Sequence, residues 1–348
     1  MVPNDLVVIG MPSSVGGADT ELYDQIKCWS MMGIKVHLVP TTKPRNCVDL
    51  SNLNVVVHDI KDYNVCDGQY VIGYCNPYFL KDIKVISKLA KDTMWASCMC
   101  FNFKEEIEAA YNGLIGSYIY QTYHQYQKCA GHLLKASKHC DFNKYLVHQI
   151  NPYFDRTPFQ YRPNKVKPFK IGRISRGDPA KFGKDQFKIY KNAGLFPILI
   201  VGWNDRVAKK FKDDLPWIND QVNQGFIKLV PEGGMNNVEF FNSINILSMT
   251  TDTYENLPRV GFEALASGCA LVPDSQPGWF SFLDASQPTM TWCANSIDDF
   301  GKTLVCAWKT YWGSDLWTPT LDHPPILDRY DFKQASTCWE LVFDYLKK

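Results

Sequence analysis

The sequence is short of several things, and each shortage removes a class of protein. No run of about 18 or more apolar residues occurs in it, so no membrane-spanning helix is expected. The first ten residues lack the basic stretch and long apolar core of an export leader, and residues 6–10 read instead as a buried strand. There is no CxxC pair and no Cys/His set at zinc spacing, so no metal site is expected. The twelve cysteines are scattered, and the close pair Cys98 and Cys100 would share one strand face, a poor geometry for a bridge. Scattered thiols without an export signal point to a reducing cytoplasm. The GxGxxG fingerprint is absent, which disfavours a nicotinamide-dependent oxidoreductase. Repeats and low-complexity segments are absent too. Neither sign of charge dominates: the net charge of +1 excludes a protein that grips nucleic acid with its whole surface.

What is present is an ordinary globular composition, 45% hydrophobic and 21% charged, on 348 residues, a length that predicts two domains. Aromatic residues reach 14%, mostly core by expectation. Positive charge is concentrated locally. Residues 162–188 carry nine Lys or Arg against two Asp, whereas residues 1–150 carry fourteen of each sign. Such a run is either a solvated face or a local basic site.

The first half alternates strand-like and helix-like runs. Residues 6–10 form an apolar strand, and residues 19–32 place Leu22, Ile26 and Trp29 at helical spacing. Gly33 ends that helix and residues 34–40 are a second strand. Strand-like runs recur at 54–57, 70–73, 93–100 and 117–121, and residues 123–137 read as the following helix. Residues 151–158 and 162–164 contain three prolines among polar neighbours and form a connector. The rhythm restarts with strands at 169–174, 197–202, 226–230, 244–249 and 270–273. The tail, 331–348, is a helix with Trp339, Leu341, Val342 and Leu346 free to pack. Two strand–helix halves predict an α/β chain of two Rossmann-like, doubly wound domains, residues 1–155 and 156–325. The helix of 326–348 is expected to pack back on the first domain. Ligands of such sheets bind at the carboxyl ends of the strands, so a cleft between facing domains is the expected site.

The chemistry is carried by residues 252–273. Pro258 opens a short helix, where its missing N–H costs nothing, and Gly268 lies just past the end, where a left-handed residue is required. The start of that helix offers free N–H groups and a positive dipole end to an anion, phosphate above all. Glu263 lies one turn beyond Arg259, and Glu255 precedes the helix. Carboxylates are poor phosphate ligands but good acceptors for sugar hydroxyls. The plain alternative is that Glu255 is a loose cap and Glu263 a surface residue.

This stretch resembles the signature of GT-B nucleotide-sugar transferases, in particular the glycogen-synthase-like glycosyltransferase family 4: a Glu, seven residues, then Glu-Ala-Met-Ala-x-Gly. Glu255 and Glu263 have that spacing, and Glu263-Ala264-Leu265-Ala266-Ser267-Gly268 follows with Leu for Met. The resemblance implies that Glu255 contacts the transferred sugar and Glu263 the ribose. The residues between, Asn256, Leu257 and Pro258, would touch sugar and diphosphate through their backbone. Asn256 stands where a Gly is usual, which leaves the sugar identity open. Residues 171–176 followed by Lys181 resemble the family's Gly-Arg-loop-Lys element, so Arg173 and Lys181 would neutralise the departing diphosphate, with Arg176 as an alternative to Lys181. Residues 13–19, with Gly16, Gly17 and Asp19, are similar to a Gly-Gly-Ala-Glu-like loop that faces the donor phosphates and the acceptor. An acceptor-side His of some relatives belongs in the loop near Asn102 and Glu105, and His124 lies not far beyond. The resemblance implies a metal-independent, cofactor-free, retaining glycosyltransferase using a nucleotide sugar, a UDP-sugar first. Its acceptor would be a glycan, a lipid-linked sugar or a modified DNA base. The alternative is a non-catalytic nucleotide-sugar-binding scaffold.

Overall fold

The computed structural model describes residues 2–14, 16–136, 146–162, 169–195, 197–282, 291–294, 296–313 and 324–346. Val15, Ser137, Pro163, Asn164, Lys347 and Lys348, which belong to segments discussed above, lie outside them. Contacts divide the chain into two compact units, Met1–Asp155 with Arg329–Lys348, and Arg156–Asp328.

The first unit contains β1 (Asp5–Ile9), α1 (Gly17–Met31), β2 (Lys35–Val39), β3 (Val55–Val57), β4 (Tyr70–Tyr74), α2 (Pro77–Leu89), β5 (Asp92–Ala96), α3 (Lys104–Tyr111), β6 (Ser117–Tyr120), α4 (Tyr123–Cys129), α5 (Gly131–Ala136) and β7 (Leu146–Gln149). Its sheet runs β3-β2-β1-β4-β5-β6-β7, and every neighbouring pair is parallel. Residues Leu6 to Ile9 of β1 are fully buried, as a strand covered on both faces requires. The order reverses between β1 and β4, so the loops leaving these two strands diverge and open a crevice at the carboxyl edge.

The second unit contains β8 (Ile171–Ile174), α6 (Gln186–Ala193), β9 (Ile198–Val201), α7 (Asp205–Lys210), α8 (Leu215–Asn223), β10 (Ile227–Val230), α9 (Asn237–Asn242), β11 (Ile246–Met249), α10 (Arg259–Ala266), β12 (Ala270–Pro273) and α11 (Ile297–Gly313). Its five strands are ordered β10-β9-β8-β11-β12, again all parallel. The same reversal falls here between β8 and β11.

The last helix, α12 (Phe332–Leu346), belongs to the first unit. Trp339 stands edge-on to Trp29 of α1 at 5.0 Å, and its indole N–H donates to Gln25 at 3.0 Å. Val342 and Phe343 are buried with it, whereas Leu341, expected to pack, points outward and is exposed.

Two expectations from the sequence are corrected. The strand placed at 93–100 ends at Ala96, because the amide of Gln125 in α4 takes the carbonyls of Ser97 and Met99 at 2.7 and 2.9 Å and draws the chain out of the ladder. Cys98 and Cys100 therefore do not share a strand face. The helix placed at 123–137 is two helices, broken at Ala130–Gly131, where glycine weakens continuation.

Candidate active site

The strand reversal in the second unit brings two loops side by side, the one after β8 and the one after β11. The first carries Arg176 and Lys181, the second Glu255. Their side chains meet: Lys181 Nζ donates to Glu255 Oε1 at 2.7 Å, with side-chain exposures of 25% and 16%. The pair is thus reachable from solvent yet shielded enough for its charges to act strongly.

Each half is held by its own scaffold. Lys181 ends a 3-10 turn, Pro179–Lys181, capped by Asp178, whose Oδ1 accepts from Ala180 N at 3.0 Å. Lys210 of α7 clamps the same turn: Nζ donates to Pro179 O at 2.7 Å, to Phe182 O, and to Asp252 Oδ2 at 2.6 Å. Glu255 N donates to Gln276 Oε1 at 3.0 Å, while the Gln276 amide donates to Thr251 O at 3.0 Å. Gly278 lies against this loop so closely that a Cβ there would sit 2.3 Å from Glu255 O. Burial raises the carboxyl of Asp274 above its ordinary range, and its neighbours Thr251 N and Gln276 hold it in place.

Arg173, the other cation expected on the diphosphate, packs against the Lys181 turn. Its guanidinium is fully buried, stacked 3.5 Å over the Phe182 ring. It donates to Gln186 Oε1 at 3.1 Å, Ser175 Oγ at 2.8 Å and Lys181 O. Burial lowers its pKa to about 10. Three of its five N–H groups are engaged by these partners, which tie it to the Lys181 turn. Arg176, two residues past the strand end, is exposed.

Helix α10 begins after Pro258, and no side chain caps it. Its end is a Schellman turn: Cys269 N donates to Ala264 O at 2.8 Å and Gly268 N to Leu265 O at 3.0 Å, with Gly268 at φ +76°. Asn256, Leu257 and Pro258 are buried in the entry to the helix. Glu263 is 3% exposed and not a surface residue. Arg259 Nε lies 3.3 Å from its Oε1, and Asn237 Nδ2 donates to its Oε2 at 2.8 Å.

The other expected positions belong to the first unit. Gly16 precedes α1 at φ +98° and no side chain caps that helix. Gly17 is its first residue, and a Cβ there would meet nothing within 4 Å. Asp19 is exposed and His124 half-buried in the first turn of α4. Asn102 donates to Glu106 Oε1 at 3.0 Å, and Glu105 is half-buried. Glu106 itself, with His132 3.7 Å away, is buried, and burial raises its carboxyl to about 7. Sequence reasoning missed Lys210, Asn237 and Gln276, which come from segments without a motif. Among the described residues no group of three His, Cys, Asp or Glu is gathered that could hold a metal ion, and no helix is long and apolar enough to cross a membrane.

Two parallel sheets of seven and five strands, each reversing its order once, are the architecture of the GT-B glycosyltransferases, and the chain has that fold. No protein-family model and no curated protein matches the sequence. Solved structures do match over nearly the whole length. HepE of Anabaena in complex with UDP and glucose aligns with a TM-score of 0.70 at 12% identity, over 98% of this chain and 100% of that one. A glycosyltransferase from Rickettsia africae gives 0.71 at 12% identity, over 99% and 98%. AviGT4, a glycosyltransferase involved in avilamycin A biosynthesis, gives 0.61 at 12% identity, over 99% and 97%.

Proposed function

We propose that the chain is a glycosyltransferase that moves a sugar from a nucleotide-sugar donor, a UDP-sugar first, to an acceptor hydroxyl with retention of configuration. The observation that carries this reading is the Lys181–Glu255 pair at the strand reversal of the second unit, beside a helix that no side chain caps. A structurally similar protein holds UDP and glucose, which supports UDP as the nucleotide.

In this reading the anomeric carbon exchanges its bond to the diphosphate oxygen for one to the acceptor oxygen. The diphosphate leaves with the bonding electrons and takes up the proton that the acceptor hydroxyl loses. Negative charge grows on the leaving group, where Lys181, Arg176 and the first N–H groups of α10 oppose it. Donor binding would draw Lys181 from Glu255, freeing that carboxylate to accept from a sugar hydroxyl. Arg173 acts on Lys181 as a positioning residue. Glu263 reaches the ribose, with Asn237 at the surface beside it. No role falls to a metal or cofactor.

The acceptor classes are a glycan, a lipid-linked sugar and a modified DNA base. Within the basic run Arg173 is buried and Lys181 faces Glu255, whereas Arg162, Arg176, Lys184 and Lys188 are exposed. The direct test is a thermal-shift panel of nucleotides followed by hydrolysis of the matching nucleotide sugar without acceptor. UDP is expected to raise the melting temperature most and UDP-sugar to be hydrolysed slowly. Binding without any turnover would leave the non-catalytic reading, and no response to any nucleotide would refute both.

A further inference from the structure

The first unit has its own strand reversal, between β1 and β4, and a cavity of about 680 Å³ opens there. Every residue lining it belongs to that unit. Its charges are Lys43 and Arg45, from the loop after β2, which the donor reading does not use, and Asp19, of the loop that the resemblance sets facing the donor phosphates and the acceptor. Both cations are exposed, and neither has an ion pair or hydrogen bond among the described residues. Other cations of the chain do find carboxylates, as Lys27 finds Asp155 at 2.6 Å and Lys61 finds Asp82 at 2.9 Å.

The rim is built rather than loose. Ser14 N donates to Asn46 O at 2.9 Å, which ties the Lys43–Arg45 loop to the loop after β1. Asn76 spans the floor, its amide donating to Ile9 O at 3.3 Å and Thr41 Oγ1 at 3.4 Å. Asn46 and Cys75, both lining the cavity, sit in the left-handed region at φ +51° and +48°. Helix α1, of fifteen residues, starts at the same edge with no side-chain cap, whereas the start of α2 is capped by Asn76 Oδ1, which accepts from Tyr78 N at 2.9 Å. A pocket with two unpaired cations, one carboxylate and a polar wall is matched to a small anion of high charge density.

Resting on the sugar-transfer reading, we propose that this cavity binds a phosphate group carried by the acceptor, with Lys43 and Arg45 as its cations. The acceptor is thus a phosphorylated sugar or a lipid-linked phosphate, not a neutral glycan. A phosphate held here fixes one end of the acceptor and leaves its hydroxyl to react elsewhere.

The test is calorimetric titration of the full chain with three probes: glucose 1-phosphate, a farnesyl diphosphate-linked N-acetylglucosamine in detergent, and uncharged octyl glucoside. Each is run with and without saturating UDP, so that a phosphate lodging in the donor site is counted apart. At least one phosphate-bearing probe is expected to bind, more weakly as salt rises, and octyl glucoside is not. Binding of glucose 1-phosphate indicates a soluble acceptor, and binding of the prenyl-linked probe alone a lipid carrier. The K43A/R45A variant is expected to lose at least tenfold in affinity with its melting temperature unchanged, since both side chains are exposed. Equal binding of the neutral glycoside, or unaltered phosphate affinity in K43A/R45A, overturns the proposal. UDP is titrated separately: if it fails to bind, the sugar-transfer reading falls while the phosphate titration still decides the cavity.

Discussion

Replacing Lys181 with Ala separates chemistry from architecture. Its partner Glu255 is 16% exposed and the ammonium 25%, so the pair lies between a surface and a buried ion pair. Exposed pairs contribute about 0–1 kcal/mol, and the loss here belongs near the top of that range. For a unit of this size that moves the melting temperature by roughly 2–4 °C. Losing a fixed donor that faces growing charge costs far more in rate, about 100- to 1000-fold in kcat, or roughly 2.7–4 kcal/mol. The assay is UDP release from UDP-sugar, alongside calorimetric melting of the same sample. E255Q, which keeps shape and loses charge, is expected to behave similarly, and the double variant to fall well short of the product of the two losses because both act on one event. A kcat within threefold of the parent in K181A refutes the assignment of the leaving-group cation.

Three more outcomes are expected. Arg173→Ala strips Gln186, Ser175 and the Lys181 carbonyl of a buried donor and leaves a void over Phe182, a loss on the order of 3–5 kcal/mol. An unchanged melting temperature by calorimetry would show that Arg173 is no support. Trp339→Ala removes the packing of α12 on Trp29 and should cost about 3–5 kcal/mol, read as faster proteolytic loss of the C-terminal helix. Glu106 has its folded carboxyl raised to about 7 by burial, against 4.5 unperturbed. Below 4.5 both folded and unfolded chains are protonated there and burial of the group costs nothing extra. Above about 7 both are ionised and only the folded chain carries a buried charge. Stability is therefore lost as pH rises from 4.5 to 7. Glu106→Gln is expected to melt higher relative to the parent at pH 8 than at pH 4, and a pH-independent difference would contradict the buried charge.

The sheets were legible because parallel strands covered on both faces must be continuous apolar runs, and residues 6–9 and 198–201 are such runs. The edge strand β7 escaped notice because its residues alternate half-buried and exposed, giving Leu146, Val147, His148 and Gln149 no apolar continuity. The break at Ala96 was invisible locally, since its cause is Gln125, nearly thirty residues later. The same division holds for the candidate site. Glu255, Glu263 and Gly268 stand in one short segment, where their spacing resembles a family signature. Lys210, Asn237 and Gln276 act on that segment from three other parts of the chain, and no local pattern marks them. Arg173 was visible as a residue but its partners were not. A Gly-Arg at a strand end can turn outward or inward, and Phe182 and Gln186, which receive it, follow only after the loop.

The two units have the same strand reversal and differ in what fills it. In the second, cation and carboxylate meet: Lys181 and Glu255 neutralise each other, and in the proposed reading a ligand with both phosphate and hydroxyl groups would separate them. A simple anion would gain Lys181 and leave Glu255 exposed to repulsion, whereas a nucleotide sugar satisfies both. In that reading the pair would filter against free phosphate as well as bind the donor. In the first unit, Lys43 and Arg45 face a cavity with Asp19 as its one acid, and no ion pair among the described residues restrains them. That arrangement favours an anion outright. Opposite charge patterns on the same topology are what the two proposals rest on, a sugar diphosphate at the paired site and a phosphate at the unpaired one. Fold similarity at 12% identity cannot make that distinction, because it reports the strands and not the side chains at their ends.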